Sequence, residues 1–241
     1  YDFNGNRSLG AVLPIISELE RNHPIVGYIE DPLVKSDIDS WCRLREQTRL
    51  PIIMHGTPLG GVQEMIRGVA DIYMIEGGIG DTMATGFACG KANIQTILQF
   101  EGGTLGKAMA LHMASVLPTH TAHMINLDDQ YEEDITTETI PVIEGSSPVP
   151  KGPGLGFEVD EDALARVAAN KLVEVPKHVG ILNMAGGSKF YGRSYISPST
   201  LTGREEGTIR GFTSELWEDD GSPEFERIYE RVQKEGTFRA N

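Results

Sequence analysis

Short, nearly continuous apolar segments dominate the first 130 residues, and each of them ends in a polar residue. The polar ends are Asp2, Glu30, His55, Glu76, Gln99 and Asp128, at intervals of 28, 25, 21, 23 and 29 residues. Apolar runs of this length are typical of parallel strands that are buried on both faces. A strand with its crossover helix takes about 30 residues, so each interval fits one β/α unit. This rhythm predicts a parallel α/β fold with a polar side chain at the carboxyl end of each strand.

Helical patterns fill the intervals between these segments. Ser8 and Ser36 are predicted to cap the first two helices, and a third helix is predicted from Gly102 to Leu117. Glycines make the boundaries of the helices around 58–69 and 82–92 hard to place. Beyond Asp128 the alternation stops. There we predict helices at 160–169 and 222–235 and irregular structure in the rest of 171–241.

A polar residue at the end of every strand is typical of the active-site face of a (β/α) barrel. A doubly wound open sheet gives a similar spacing. However, no GxGxxG sequence follows a strand here, so the pattern offers no support for a dinucleotide site.

Composition narrows the partners and the setting. The chain of 241 residues has a formal net charge of −14, which argues against nucleic acid and anionic membranes as main partners. No apolar run approaches the roughly 18–20 residues that span a bilayer. Cys42 and Cys89 are the only cysteines and do not form a CxxC pair, which favours a reduced, cytoplasmic setting.

Five segments, in order and at matching spacing, resemble motifs of one known group of barrels. The segments are Asp2-Phe3-Asn4, Tyr28-Ile-Glu-Asp-Pro32, Leu44-Arg-Glu-Gln-Thr-Arg-Leu-Pro-Ile52, Ala110–Pro118, and Gly152–Gly156 with Val159–Leu164. Together they resemble the enolase superfamily, in its mandelate racemase and muconate-lactonizing branch. The resemblance covers residues 1–169.

The resemblance implies a TIM-type (β/α) barrel of which this chain holds strands three to eight. We therefore expect a partial barrel over residues 1–169 and a C-terminal extension of unknown role over 170–241. The N-terminal capping domain of the family, the first two strands and the lysine that the second strand often carries would be absent from this chain.

The resemblance also implies a chemistry, which is removal of a proton α to a carboxylate while a divalent cation stabilises the enediolate. Asp2 and Glu30 match the first two metal ligands, and Mg²⁺ is the expected ion. Gly56 falls where a third carboxylate is expected. Three alternatives are open: His55 ligates and favours Mn²⁺, Fe²⁺ or Zn²⁺, water completes a two-carboxylate Mg²⁺ site, or metal binding is lost.

The remaining strand ends imply roles in proton transfer and substrate binding. Glu76 matches a position of the family's catalytic pairs, so Glu76 and His55 are the candidates for acid–base catalysis. Gln99 stands where racemases carry a histidine. Because glutamine cannot exchange a proton at neutral pH, a symmetric two-base racemase is disfavoured. Asn4, Gln99 and Asp128 are candidates for substrate binding.

These residues favour an enzyme, a lyase or isomerase that dehydrates or epimerises a hydroxy-carboxylate such as an acid sugar. We expect it to assemble as a homo-oligomer. The alternative is a degenerate barrel that binds a carboxylate ligand or serves as an assembly subunit without turnover. A Schiff-base aldolase is disfavoured because none of the polar strand ends is a lysine.

Overall fold

A computed structural model of the protein describes residues 1–120, 124–171, 173–196 and 211–240. Its first part alternates strands and helices. The elements are α1 (Leu9–Asn22), β1 (Ile29–Glu30), α2 (Ile38–Gln47), β2 (Ile52–His55), α3 (Val62–Arg67), β3 (Ile72–Ile75), α4 (Ile79–Ala92), β4 (Gln95–Phe100), α5 (Gly103–Ala114), β5 (Met124–Asn126) and α6 (Glu161–Ala169). All five predicted apolar segments beyond Asp2 therefore contain a strand.

The five strands form one parallel sheet in the order in which they occur in the chain, β1-β2-β3-β4-β5. Asp2 adds a sixth strand position because it forms a parallel bridge with Glu30. Within the described residues no pairing joins β5 back to the first strand. The described strands thus form an open parallel sheet of successive β/α units, the arrangement that consecutive strands of a (β/α) barrel have.

Both faces of this sheet are buried. One face packs against the helices, and the opposite face is the inner face. Ile52, Met54 and Leu98 belong to the large core between the sheet and its helices. The neighbouring residues Ile53, Ile72, Met74 and Ile97 form a second buried cluster on the opposite face. Because side chains alternate along a strand, Glu30, His55, Glu76 and Gln99 continue the rows of the second cluster.

Capping residues set the starts of the helices. Ser8 accepts a hydrogen bond from the Ala11 amide, as predicted for α1. The prediction of Ser36 as the cap of α2 is wrong, because the next residue, Asp37, accepts the Ser40 amide at 3.3 Å. An aspartate carboxylate is at least as good a helix cap as a serine hydroxyl.

Residues 178–196 and 211–240 contain strands and a helix that form a second unit, so the prediction of irregular structure is wrong for these residues. Four strands, β6 (His178–Asn183), β7 (Lys189–Gly192), β8 (Thr213–Glu218) and β9 (Phe238–Arg239), form an antiparallel sheet in the order β8-β6-β7-β9. Helix α7 (Pro223–Glu235) packs on this sheet through Phe225, Ile228 and Val232. The predicted helix at 222–235 is confirmed, with Ser222 as its cap.

Both cysteines are free thiols, and Cys89 is fully buried in the large core. Burial raises the pKa of the Cys89 thiol to about 11, so this thiol stays protonated and inert at neutral pH. Among the helices of the described residues, none combines the length and apolarity that crossing a bilayer requires.

Candidate active site

The first acid of the site, Asp2, is oriented by its own loop. Its two carboxylate oxygens accept hydrogen bonds from the Asn4 amide N–H at 2.7 Å and from the Asn4 side-chain Nδ2 at 2.8 Å. Asn4 has a φ of 53°, a left-handed conformation that asparagine tolerates better than most residues. Asn4 thus binds Asp2 directly, and its predicted contact with a substrate stays a prediction.

Glu30 lies at the crowded centre of the site. Burial is the main factor that raises the pKa of its carboxyl group, and the negative charges of Asp2 and Asp31 raise it further. The positive charge of a protonated His55 acts in the opposite direction. Because several acids share this small space, a proton or a cation is favoured here.

His55, the last residue of β2, lies between two carboxylates from neighbouring strands. Its Nδ1 is 3.7 Å from Glu30 Oε1, and its Nε2 is 3.5 Å from Glu76 Oε2. The Nε2 atom is buried and makes no hydrogen bond to any part of the chain that the structure describes. The Glu76 side chain is 57% exposed and therefore lies at the solvent side of this row. The structure thus brings together three of the predicted residues, Glu30, His55 and Glu76, and Asp2 joins them through Glu30.

The backbone of His55 is bound by two residues that sequence reasoning did not assign to the site. Asp31 Oδ1 accepts the His55 amide N–H at 2.9 Å, and Lys35 Nζ donates to the His55 carbonyl at 2.5 Å. Lys35 and Asp31 also form an ion pair at 2.9 Å. No local signal marks Lys35, because the contact joins residues 20 positions apart on neighbouring units.

The position expected to hold a third carboxylate offers space but no ligand. Gly56 has a φ of 75°, and a Cβ added there would meet no atom within 4 Å. Its amide donates to the Met74 carbonyl, so its backbone is fixed in the sheet. The departure from the family pattern seen in the sequence is therefore not compensated at this position.

The carboxylates of the site are the type of ligand that a hard divalent cation prefers, but too few of them lie together to hold one without further ligands. Asp2 and Glu30 provide carboxylate oxygens, which Mg²⁺ prefers, and their mutual repulsion favours a positive ion between them. Over the residues for which positions are described, however, no group of three or more His, Cys, Asp or Glu side chains could hold a metal ion. An ion bound to the two carboxylates would need further oxygens from water or from a substrate.

Two further predicted residues lie elsewhere along the same rim of the sheet. Gln99 lies on β4, in the inner-face row that also contains Ile97. Asp128 follows β5 and pairs through Oδ2 with Nζ of the buried Lys107 at 2.8 Å. Lys107 also donates to the Ile140 carbonyl, so the Asp128 carboxylate helps to fix the segment that packs on α5. Roles of Gln99 and Asp128 in substrate binding stay predictions.

The amino terminus of α5, where Gly102 and Gly103 could expose amides to an anion, is taken by the chain itself. Asp134 Oδ2 accepts the Thr104 amide at 2.8 Å. Burial tends to raise the pKa of Asp134, but hydrogen bonds from Thr104 and Ile135 outweigh it and hold this pKa below its usual value. The sequence interpretation missed Asp134 because it lies 30 residues beyond Thr104, the residue that it caps.

Two further histidines contact backbone carbonyls away from this site. His112 Nε2 on α5 is 3.4 Å from the Leu155 carbonyl, and His178 Nδ1 is 2.9 Å from the Pro176 carbonyl. Both contacts fit the structural roles of histidines that support local packing. His123 lies outside the described residues.

Successive parallel β/α units with acids and an imidazole at the carboxyl ends of neighbouring strands define a class, the catalytic domains of (β/α)-barrel enzymes. The sequence matches the family described as "Enolase C-terminal domain-like" over residues 1–163. The chain belongs to this family, and the resemblance to the enolase superfamily is confirmed.

Similar proteins agree with this assignment. A D-gluconate dehydratase from Thermoproteus tenax is 22% identical over 177 residues, which cover 70% of this chain and 35% of the dehydratase. A muconate cycloisomerase from Azorhizobium caulinodans has a TM-score of 0.61 and 20% identity over 68% of this chain and 48% of its own. A dipeptide epimerase from Cytophaga hutchinsonii, complexed with Mg and the dipeptide D-Ala-L-Val, has a TM-score of 0.60 and 19% identity over 68% of this chain and 47% of its own.

These identities support the fold, and the relatives are lyases and isomerases. The chain spans about a third of the dehydratase and about half of each of the two solved structures. The activity, the substrate and the metal of this chain are therefore matters for proposal.

Proposed function

We propose that this rim begins the dehydration of a hydroxy-carboxylate, an acid sugar, by removing the proton α to the carboxylate. The single observation that carries the proposal is the row Glu30–His55–Glu76, in which both imidazole nitrogens face carboxylates within 3.7 Å. An imidazole held between an exposed acid and a half-buried acid is suited to passing a proton between substrate and protein.

The row suggests a division of roles. We assign acceptance of the α-proton to the exposed Glu76 carboxylate, and receipt of that proton in turn to His55 Nε2, 3.5 Å from it. Glu30 at Nδ1 favours the charged imidazolium that results. The protonated His55 can then return the proton, through Glu76, to the departing hydroxyl group, so that water leaves and no co-reactant is needed.

Asp2 and Glu30 are the residues that would hold a divalent cation, Mg²⁺, or Mn²⁺ if His55 also ligates. When bound, the ion supplies stabilisation of the negative charge that develops on the substrate carboxylate. The Mg in the related dipeptide epimerase supports this expectation. Asn4 holds the Asp2 oxygens in place for this purpose.

Dehydration is favoured over epimerisation because Gln99 cannot serve as a second base on the opposite side of the substrate. The D-gluconate dehydratase among the relatives supports the same choice. Gln99, Asn4 and Asp128 are proposed to contact the substrate. Assembly into a homo-oligomer and a cytoplasmic setting stay predictions.

Exchange of the α-proton with solvent tests the proposal without knowledge of the final product. Acid sugars, with D-gluconate first, are incubated with the protein and Mg²⁺ in D₂O, and loss of the α-proton signal is followed by ¹H NMR. We expect exchange with at least one acid sugar, and a fall of at least about 100-fold in Glu76→Gln and His55→Gln proteins, in line with the loss of an acid–base group.

The matched control is Glu226→Gln, which removes a carboxylate from the surface pair with Lys177 in the second unit. It should exchange like the unchanged protein. Equal exchange in the Glu76→Gln protein, or none with any acid sugar, would contradict the proposal.

A second candidate function is binding of a carboxylate ligand without turnover. The observation that favours it is Gly56, which leaves the third ligand position without a side chain. Saturable binding of an acid sugar by calorimetry, together with a complete absence of α-proton exchange, would support this alternative.

A further inference from the structure

Lys35 links two neighbouring β/α units at His55, the last residue of β2. The His55 N–H donates to Asp31 Oδ1 and its carbonyl accepts from Lys35 Nζ, so one ion pair binds both polar groups of a single peptide residue. The Asp31 side chain is only 7% exposed, whereas that of Lys35 is 39% exposed. Asp31 is therefore buried, whereas Lys35 is partly exposed at the rim of the sheet.

The backbone has a positive φ at Asp31, a member of this ion pair, and at Gly56, next to the residue that the pair binds. Asp31 has a φ of 41°, which a residue with a side chain rarely adopts. Gly56, directly after His55, has a φ of 75°. Strained backbone persists where surrounding contacts over-determine it, and such positions cluster at functional sites. Here the residue with the strained backbone, Asp31, is also the residue whose carboxylate binds the His55 amide and the Lys35 ammonium group.

From this geometry we infer that Lys35 is a positioning residue, which through Asp31 and the His55 carbonyl fixes the imidazole between Glu30 and Glu76. The inference rests on the proposed function, since it assigns Lys35 to the same site. Lys35 need not touch the substrate. Its effect is exerted through the backbone of His55, and the side chain of His55 follows.

A protein labelled with ¹⁵N at histidine and methionine provides the test, with the His55 signals assigned from a His55→Gln variant and the Met54 amide from a Met54→Leu variant. In Lys35→Met, which keeps an unbranched apolar side chain but removes the ammonium group, we expect a shifted or broadened His55 imidazole signal. The His55 amide should exchange with solvent at least tenfold faster relative to the Met54 amide. Lys35→Arg, which retains a donor and a charge, should restore both.

Lys177→Met is the control, because it removes a lysine from an ion pair of similar length, 3.0 Å, in the antiparallel unit. It should leave the His55 signals unchanged. A general loss of stability in Lys35→Met would accelerate the His55 and Met54 amides together, and that result would overturn the inference. Unchanged His55 signals in Lys35→Met would overturn it too.

Kinetics then separate this inference from the proposed function. Lys35→Met should lower the maximal rate of α-proton exchange at least tenfold and leave the half-saturating substrate concentration within about twofold. If the unchanged protein exchanges no α-proton, the proposed function fails, while the NMR result still decides the role of Lys35. If the unchanged protein exchanges and Lys35→Met exchanges equally fast, only the role of Lys35 fails.

Discussion

Among single residues, the acids of the candidate site lie so close together that their charged forms repel one another. Glu30 is half-buried beside Asp2 and Asp31, and its partial burial and both neighbouring charges raise its pKa. The folded state therefore binds a proton at Glu30 more tightly than the unfolded chain does. Above the folded pKa the charged Glu30 opposes folding, and below the unfolded pKa this penalty disappears.

Glu30→Gln is accordingly expected to raise the thermal unfolding midpoint of the metal-free protein at pH 7. The gain should shrink as the pH falls towards about 4, near the ordinary pKa of glutamic acid, where Glu30 itself becomes neutral. Circular dichroism in the presence of EDTA measures both midpoints. Glu226→Gln, on the surface of the second unit, is the control and should not show this pattern. A lower midpoint for Glu30→Gln at pH 7 would contradict the view that Glu30 is placed for function at the expense of stability.

The sequence predicts the residues at the strand ends but not the contacts between strands. Glu30, His55 and Glu76 could be proposed because each ends an apolar run, and parallel strands bring such ends to one edge. Asp31, Lys35 and Asp134 could not be assigned in this way. Their hydrogen bonds join residues 20 to 30 positions apart, and no local periodicity records such a contact.

Among the elements, α4 packs closely against the segment that follows α5, and it can do so because α4 carries glycines, which have no side chain, at the contact. A Cβ on Gly86 would lie 2.5 Å from Leu117 Cδ2, and a Cβ on Gly90 would lie 2.9 Å from Pro118 Cγ. The glycines that made this helix hard to place in the sequence are thus explained by packing. They let α4 approach the segment that leads from α5 towards β5.

Two glycine-to-alanine variants on the same helix test this packing. Gly86→Ala is expected to destabilise the protein by about 1–3 kcal/mol, because the added methyl group overpacks the contact with Leu117. Gly80→Ala, where a Cβ would meet nothing within 4 Å, should be neutral or stabilising by up to about 1 kcal/mol. Urea unfolding measures both, and a neutral Gly86→Ala would contradict the packing described.

At the scale of the whole molecule, the sequence predicted the parallel part far better than the antiparallel part. The parallel strands are buried on both faces, so their sequences are nearly continuous apolar runs. The antiparallel strands are short, and β8, with the sequence Thr-Ser-Glu-Leu-Trp-Glu, is mostly exposed. Its pairing with β6 joins residues 30 to 40 positions apart, a distance that local periodicity does not record. The second unit was therefore missed, although its amphipathic helix was predicted.

We propose that the ends of neighbouring strands form one cation-binding, proton-transferring site around Glu30 and His55. A titration of the ¹⁵N-histidine-labelled protein with Mn²⁺ tests it most directly, because this paramagnetic ion broadens the signals of nuclei near it. We predict that the His55 imidazole signal is lost at substoichiometric Mn²⁺ while those of His112 and His178 persist. This selective loss should disappear in Asp2→Asn and Glu30→Gln proteins. Broadening that spares His55, or that is unchanged in both variants, would contradict the account.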